Sequence, residues 1–212
     1  MRQIMVMNAK GGCGKSTIST NLAAYYASEG FETVLADYDP QQSSIDWLSE
    51  RPDNYAAITG LAAHKNGLRD LPRSADYLTI DAPARSHGKE LTALLKRVET
   101  IIVPVLPSPI DIKASARFIK ELKSSNRVSQ KKIKVAAVAN RVRENTLIFE
   151  ELDEYLSKLK VPYLASLREA QNYIRAYQRG LGIHELPPYL AWPDWEQWDP
   201  ILEWLDSRRS KP

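Results

Sequence analysis

Residues Lys10-Gly11-Gly12-Cys13-Gly14-Lys15-Ser16-Thr17 lie between the apolar run Ile4-Met5-Val6-Met7 and an amphipathic run from Ile18 to Tyr26. A strand, a glycine-rich turn and a helix start in that order make a phosphate cradle. Glycines let backbone N–H groups converge on an anion with no Cβ in the way, and the helix start adds its positive dipole end. At this spacing Lys15 can reach the β- and γ-phosphates of a nucleotide, and the Ser16 hydroxyl can ligate Mg²⁺. The pattern G-x-x-x-x-G-K-[ST] would place glycine at position 9, where this chain has Ala9, and a second lysine, Lys10, opens the loop.

Strand-like apolar runs alternate with helical patterns along the rest of the chain. Residues 3–8, 33–37, 77–81, 100–105 and 134–140 read as buried parallel strands. Helical patterns cover residues 16–28, 43–50, 89–97, 111–123 and 147–158, with Gly30 stopping the first and Pro104, Pro107 and Pro109 punctuating the approach to another. The alternation predicts an α/β fold: a doubly wound, mostly parallel sheet flanked by helices, with its ligand at the carboxyl ends of the strands. Residues 53–74 are poorly periodic, and the strand in this stretch is left unplaced. One domain over residues 1–212 is expected, with residues 190–212 as a C-terminal helical segment and no helix-turn-helix preceding the first strand.

Three strand ends carry carboxylates where a metal–nucleotide site needs them. Asp37 and Asp39 lie in Asp37-Tyr38-Asp39-Pro40-Gln41, and Asp81 closes Tyr77-Leu78-Thr79-Ile80-Asp81. A carboxylate ending a buried strand beside a phosphate loop can hold Mg²⁺ through its water shell, and a second can orient the water that attacks the γ-phosphate. A strand-terminal aspartate alone would be read as capping the following turn; the glycine loop in the same chain shifts the reading to a nucleotide site.

Composition narrows the alternatives. A single cysteine, Cys13, excludes an internal disulfide and a cysteine-cluster metal site within one chain, and it is too few for an iron–sulfur cluster shared across a dimer. No run approaches a membrane span and no secretory h-region opens the chain, so a cytoplasmic location is expected. The net charge of +3 is compatible with nucleic acid without requiring it. Cys13 fills the variable loop position, where a helix end could lower a thiol pKa; a small residue that simply fits is the preferred reading.

Together these elements resemble the ParA/MinD family of deviant Walker ATPases over nearly the whole chain. Lys10 to Ser16 match K-G-G-x-G-K-[ST], residues 37–41 match D-x-D-P-Q, residues 77–81 match the Walker B strand, and residues 102–109 look like the next strand and loop. The resemblance implies ATP and Mg²⁺ as ligands and a face-to-face homodimer sandwiching ATP. Lys10 would then reach the partner's nucleotide, where charge on transferred phosphoryl oxygens needs compensation. Gly11, Gly12, Cys13, Gly14 and Lys15 would cradle the phosphates, with Thr17 at the α-phosphate. Ser16 and Asp81 would hold the metal shell with Asp37 close by, and Asp39 would position water. Asn140 either contacts adenine, as the resemblance implies, or caps the loop before Arg141.

The same resemblance implies ATP-dependent, sequence-independent DNA binding, which phosphate contacts alone can supply. Arg168, Arg175 and Arg179 share a face if residues 169–179 form a helix, and Lys113, Arg117, Lys120 and Arg127 form a second stripe. Arg208, Arg209 and Lys211 are weaker candidates. A membrane role is disfavoured: Trp195, Trp198, Leu202 and Leu205 make an apolar stripe, but the polar side is Glu196, Asp199, Glu203 and Asp206, which anionic lipid repels. The expected activity is hydrolysis of ATP, stimulated by a ParB-like or other adaptor protein. Its expected purpose is segregation of a plasmid or chromosome by a nucleoid-associated dimer. The alternatives are positioning of a protein assembly such as a carboxysome or chemoreceptor cluster, and a MinD-like membrane-cycling regulator.

Overall fold

Unbroken apolar runs such as Ile101-Ile102-Val103 bury side chains on both faces of a strand, which is the requirement of a parallel sheet covered by helices. The computed structural model describes residues 1–84 and 86–212. Its strands are β1 (Arg2–Val6), β2 (Thr33–Asp37), β3 (Ile58–Leu61), β4 (Tyr77–Asp81), β5 (Thr100–Val105), β6 (Lys134–Val142) and β7 (Tyr163–Arg168). They form one sheet in the order β3-β2-β4-β1-β5-β6-β7, so the chain first winds to one edge and then to the other. The pairs β1–β4, β2–β3, β2–β4, β5–β6 and β6–β7 are parallel. The helices are α1 (Lys15–Ser28), α2 (Ser43–Ser49), α3 (Ala63–Asn66), α4 (Gly88–Leu95), α5 (Pro109–Ser124), α6 (Asn126–Ser129), α7 (Leu147–Ser157), α8 (Gln171–Tyr177) and α9 (Pro188–Asp206).

The chain divides into two compact units. The first comprises Met1–Val6, Lys15–Pro83 and Ala170–Trp195. Here α1 buries Ile18, Leu22 and Tyr26, and Ala23, Ala24, Leu35 and Trp47 form one apolar cluster. Gly30 ends α1 at φ 86°, with Gly30 N–H donating to Ala27 O and Phe31 N–H to Tyr26 O, the paired bonds of a left-handed helix stop. The missing strand of residues 53–74 is β3, a four-residue strand at one end of the strand order.

The second unit comprises Met7–Gly14, Ala84–Glu169 and Glu196–Pro212. Its core includes Phe118, Ile119 and Leu122 of α5, Leu152 and Leu156 of α7, and Trp198, Ile201 and Leu205 of α9. Pro109 opens α5 rather than preceding it, because the first helical turn needs no N–H from that residue. Trp198, Leu202 and Leu205 are buried while Glu196, Asp199, Glu203 and Asp206 are exposed, so the late apolar stripe packs inward. Among the described residues no helix is long and apolar enough to cross a membrane.

Both expected basic stripes change shape. Arg168 ends β7, with its backbone N–H on Gln197 Oε1 at 2.8 Å, and α8 stops at Tyr177, before Arg179. The stop comes from Gly180, at φ 63°: Gly180 N–H donates to Tyr177 O and Leu181 N–H to Ala176 O. Arg168, Arg175 and Arg179 therefore share no helical face. Lys113, Arg117 and Lys120 do line the exposed side of α5, but Arg127 lies beyond the extended Ser125, in α6.

Candidate nucleotide site

The three aspartates lie in the first unit. β2 and β4 run in register, so Asp37 and Asp81 sit opposite each other at their carboxyl ends. Both are fully buried. Asp37 is engaged by backbone: Asp39 N–H donates to Oδ1 at 2.9 Å, and Ser44 and Ile45 N–H donate to Oδ2 at 2.9 and 3.3 Å. This is the turn-capping arrangement open to any strand-terminal aspartate, here fixing the start of α2. Gln42, at φ 55°, turns the chain into that helix, and Asp39 Oδ1 accepts from Gln41 N–H at 3.0 Å. Asp39 itself is half-buried.

Asp81 is differently placed. Its Oδ2 accepts the Ser44 hydroxyl at 2.6 Å, whereas Oδ1 is buried with no hydrogen-bond partner among the described residues. Burial pushes this carboxyl up to about 7; hydrogen bonding by Ser44 and Ser16 and the charge of Lys15 work against the rise, and Asp37 adds to it. Burial also raises Asp37, against its backbone donors. An orphaned buried oxygen beside a second carboxylate, with Ser16 and Lys15 in the same unit, fits a hydrated divalent cation and a phosphate. Among the described residues there is no group of three or more His, Cys, Asp or Glu side chains that could hold a metal ion.

The sign of the pH effect follows. Between pH 3.8 and about 7 the folded chain holds a proton on Asp81 that the unfolded chain has released, so stability falls as pH rises through that window. Asp81→Asn stays neutral throughout. The Mg²⁺-free, nucleotide-free variant is expected to melt close to wild type at about pH 4. At pH 8 it should be more stable by roughly 1–3 kcal/mol, the usual cost of an incompletely compensated buried polar group. Thermal melts across pH measure this; equal melting of the two proteins at pH 8 would refute it.

The glycine loop, residues 10–14, lies in the second unit. Gly12 and Gly14 take φ values of 76° and 92°, where a side chain is strained. A Cβ on Gly14 would stand 2.1 Å from Asn140 Nδ2. Asn140, at the end of β6, donates that amide to Cys13 O at 2.8 Å, so it braces the loop. This contact with the glycine loop is a third role, besides the adenine contact and the cap of the loop before Arg141 that the sequence offers. Cys13 is buried and outside any disulfide, and its Sγ donates to Lys10 O at 3.3 Å, which fits the small-residue reading. Lys10 N–H donates to Asn8 Oδ1 at 3.3 Å.

Sequence reasoning missed three supports. Ser44 bridges both aspartates, Asn8 anchors the loop start, and Arg51 clamps the far end of α2. Within the first unit the Arg51 guanidinium pairs bidentately with Glu185, donates to Gly180 O, and lies over the Trp47 and Tyr55 rings. Trp47 Nε1–H donates to Leu181 O and the Tyr177 hydroxyl to Ser43 O, fastening α2 to the same segment. A polar residue ending a buried strand was the one signal available for Asn8; the partners of Ser44 and Arg51 are remote in sequence.

A parallel sheet with a glycine loop at one strand end and buried aspartates at others defines a P-loop nucleotide-binding protein. The model of the CobQ/CobB/MinD/ParA nucleotide binding domain matches residues 4–183, and the chain belongs to that family. The ParA/MinD members it resembles are ATPases. The maintenance of carboxysome distribution protein A of Halothiobacillus neapolitanus is 30% identical over 190 residues, covering 86% of this chain and 87% of that protein. Protein ParA of Rhizobium radiobacter is 23% identical over 195 residues, covering 88% and 86%. The fold is that of the septum site-determining protein MinD of Pyrococcus horikoshii complexed with Mg-ADP, at a TM-score of 0.70 and 16% identity over 97% of this chain and 96% of the other.

Proposed function

We propose that this chain is a Mg²⁺-dependent ATPase that dimerises on ATP and uses hydrolysis to release and reposition a cargo. The observation that carries the reading is Asp81: a buried carboxylate with Oδ2 held by Ser44 and Oδ1 without a hydrogen-bond partner among the described residues. Mg²⁺ would neutralise the developing charge on the β- and γ-phosphate oxygens. Asp81 and the Ser16 hydroxyl hold its hydration shell, and Asp37 keeps α2 and Ser44 in place beside it. Lys15 binds the β- and γ-phosphates, Thr17 the α-phosphate, and the backbone of Gly11 to Gly14 lines the loop. Asp39 orients the attacking water, and Lys10 compensates charge on the partner's nucleotide. Phosphate release from ATP should be slow, should stop in EDTA and should rise with an adaptor protein. A chain that releases no phosphate with Mg²⁺ under either condition would overturn the reading.

The cargo reading shifts from the first expectation. The near full-length match to a carboxysome-distribution protein, at higher identity than the match to ParA, favours positioning of a protein assembly. Segregation of a plasmid or chromosome is the second reading, supported by the ParA relative. Deleting the gene in its own cell separates them: assemblies that cluster favour the first, and plasmid loss with assemblies evenly spread favours the second.

Movement over the nucleoid would require the dimer to hold DNA through phosphates. Arg175 and Arg179 are exposed, on and just after α8, and remain candidates as separate contacts rather than a stripe with Arg168. Arg175→Ala removes one contact per chain and two per dimer. At roughly −0.9 per phosphate contact, the salt dependence of DNA binding should flatten by about 2 in the log–log slope. Electrophoretic shifts over a salt series read this out, with basal hydrolysis nearly intact. An unchanged slope would move the footprint to Lys113, Arg117 and Lys120.

A further inference from the structure

We propose that Asn8 and Ser115 act as a pair of positioning residues that fix the backbone at Lys10. The role attached to Lys10 rests on the ATPase reading above; the bracing itself does not. Asn8 is 1% exposed and Ser115 is fully buried on the inner side of α5. Asn8 Nδ2 donates to Pro104 O at 2.7 Å and to Ser115 Oγ at 2.9 Å, which uses both amide hydrogens. The Asn8 Oδ1 atom accepts Lys10 N–H. Turning the amide over would set its NH₂ against that N–H and its oxygen against the Pro104 carbonyl, so the network admits one orientation. Lys10 is held again at its carbonyl by Cys13 Sγ–H. Both peptide groups of Lys10 are thus pinned, one by way of β5 and α5 and the other from within the loop. A hydrogen-bond network of this kind fixes geometry, and a reacting group displaced by a fraction of an ångström loses rate before it loses affinity.

Cys13 is the only cysteine in the chain and sits 1% exposed at the other end of this brace, so its thiol reports on the loop. The test compares Asn8→Ala, Ser115→Ala, Ser115→Thr and the Asn8→Ala/Ser115→Ala double variant in the full chain, below the onset of thermal unfolding. Expected for the nucleotide-free protein is a rise of about tenfold or more in the rate of Cys13 labelling by a disulfide reagent in Asn8→Ala. Ser115→Ala should give a smaller rise and Ser115→Thr, which keeps the hydroxyl, a rate near wild type. In turnover, Asn8→Ala should lower kcat about tenfold while the Kd for a fluorescent ADP analogue stays within about threefold. The double variant should match Asn8→Ala alone, since one network is being cut twice. Should Asn8→Ala fail to fold, the contrast between Ser115→Ala and Ser115→Thr decides. Unchanged labelling in the alanine variants overturns the assignment, as does a kcat within twofold of wild type, a loss of ADP affinity equal to the loss of kcat, or additive effects in the double variant. Faster labelling in a chain whose wild type releases no phosphate supports the brace and overturns the ATPase reading instead.

Discussion

Lys15→Ala is expected to weaken ATP binding by about one to two orders of magnitude and to abolish measurable phosphate release. Lys15 is 6% exposed at the first position of α1, so on the proposed reading its ammonium would meet the phosphates from a largely buried position. Hydrogen bonds to charged groups contribute roughly 1.5–3 kcal/mol each, a factor of about 10–150 in affinity. The glycine loop keeps its backbone donors, so binding should be reduced rather than lost, while the charge that offsets developing negative charge on the phosphoryl group disappears. Titration with a fluorescent ATP analogue reads the first effect and phosphate release the second. Lys15→Ala also removes a cation that opposes protonation of Asp81, so its apoprotein should release that proton at a still higher pH than wild type. Binding within twofold of wild type would remove Lys15 from the phosphate site.

The parts of this site that the sequence disclosed are those built on backbone. Gly12 and Gly14 had to be glycine because their φ values are left-handed and, at Gly14, because Asn140 fills the space a Cβ would need. The strands β2, β4 and β5 follow the expected bounds because each is an unbroken buried run. The short and half-exposed elements were not legible: β3 and β7 lie at the two ends of the strand order, where burial falls on fewer side chains and the apolar signal thins. The supports of the site escaped for another reason. Ser44 meets Asp81, Asn8 meets Ser115 and Arg51 meets Glu185 only once the chain has folded, and no local spacing encodes such pairs. The arginine stripe failed where a local signal existed. Gly180 directly follows Arg179, and a glycine there ends the helix that the spacing argument needed.

Asp39→Ala should separate binding from hydrolysis. The Asp39 side chain touches Gln41 N–H, whereas the bond that matters to Asp37 comes from the Asp39 backbone N–H, which alanine retains. Asp37 therefore keeps its three backbone donors, α2 keeps its start and Ser44 stays on Asp81. What alanine removes is the carboxylate that would orient the attacking water, a contribution of roughly 10²–10⁴ in rate. ATP affinity should stay within about threefold of wild type. With ATP persisting in the site, the population of dimer should rise: light scattering is expected to give twice the monomer mass in ATP and the monomer mass in ADP. The nucleotide dependence follows because Lys10 of the partner subunit would recognise the γ-phosphate, which ADP lacks. Turnover at the wild-type rate would show that Asp39 does not position water. Equal masses in ATP and ADP would show that the γ-phosphate does not control assembly, even if the carboxylate's part in hydrolysis holds.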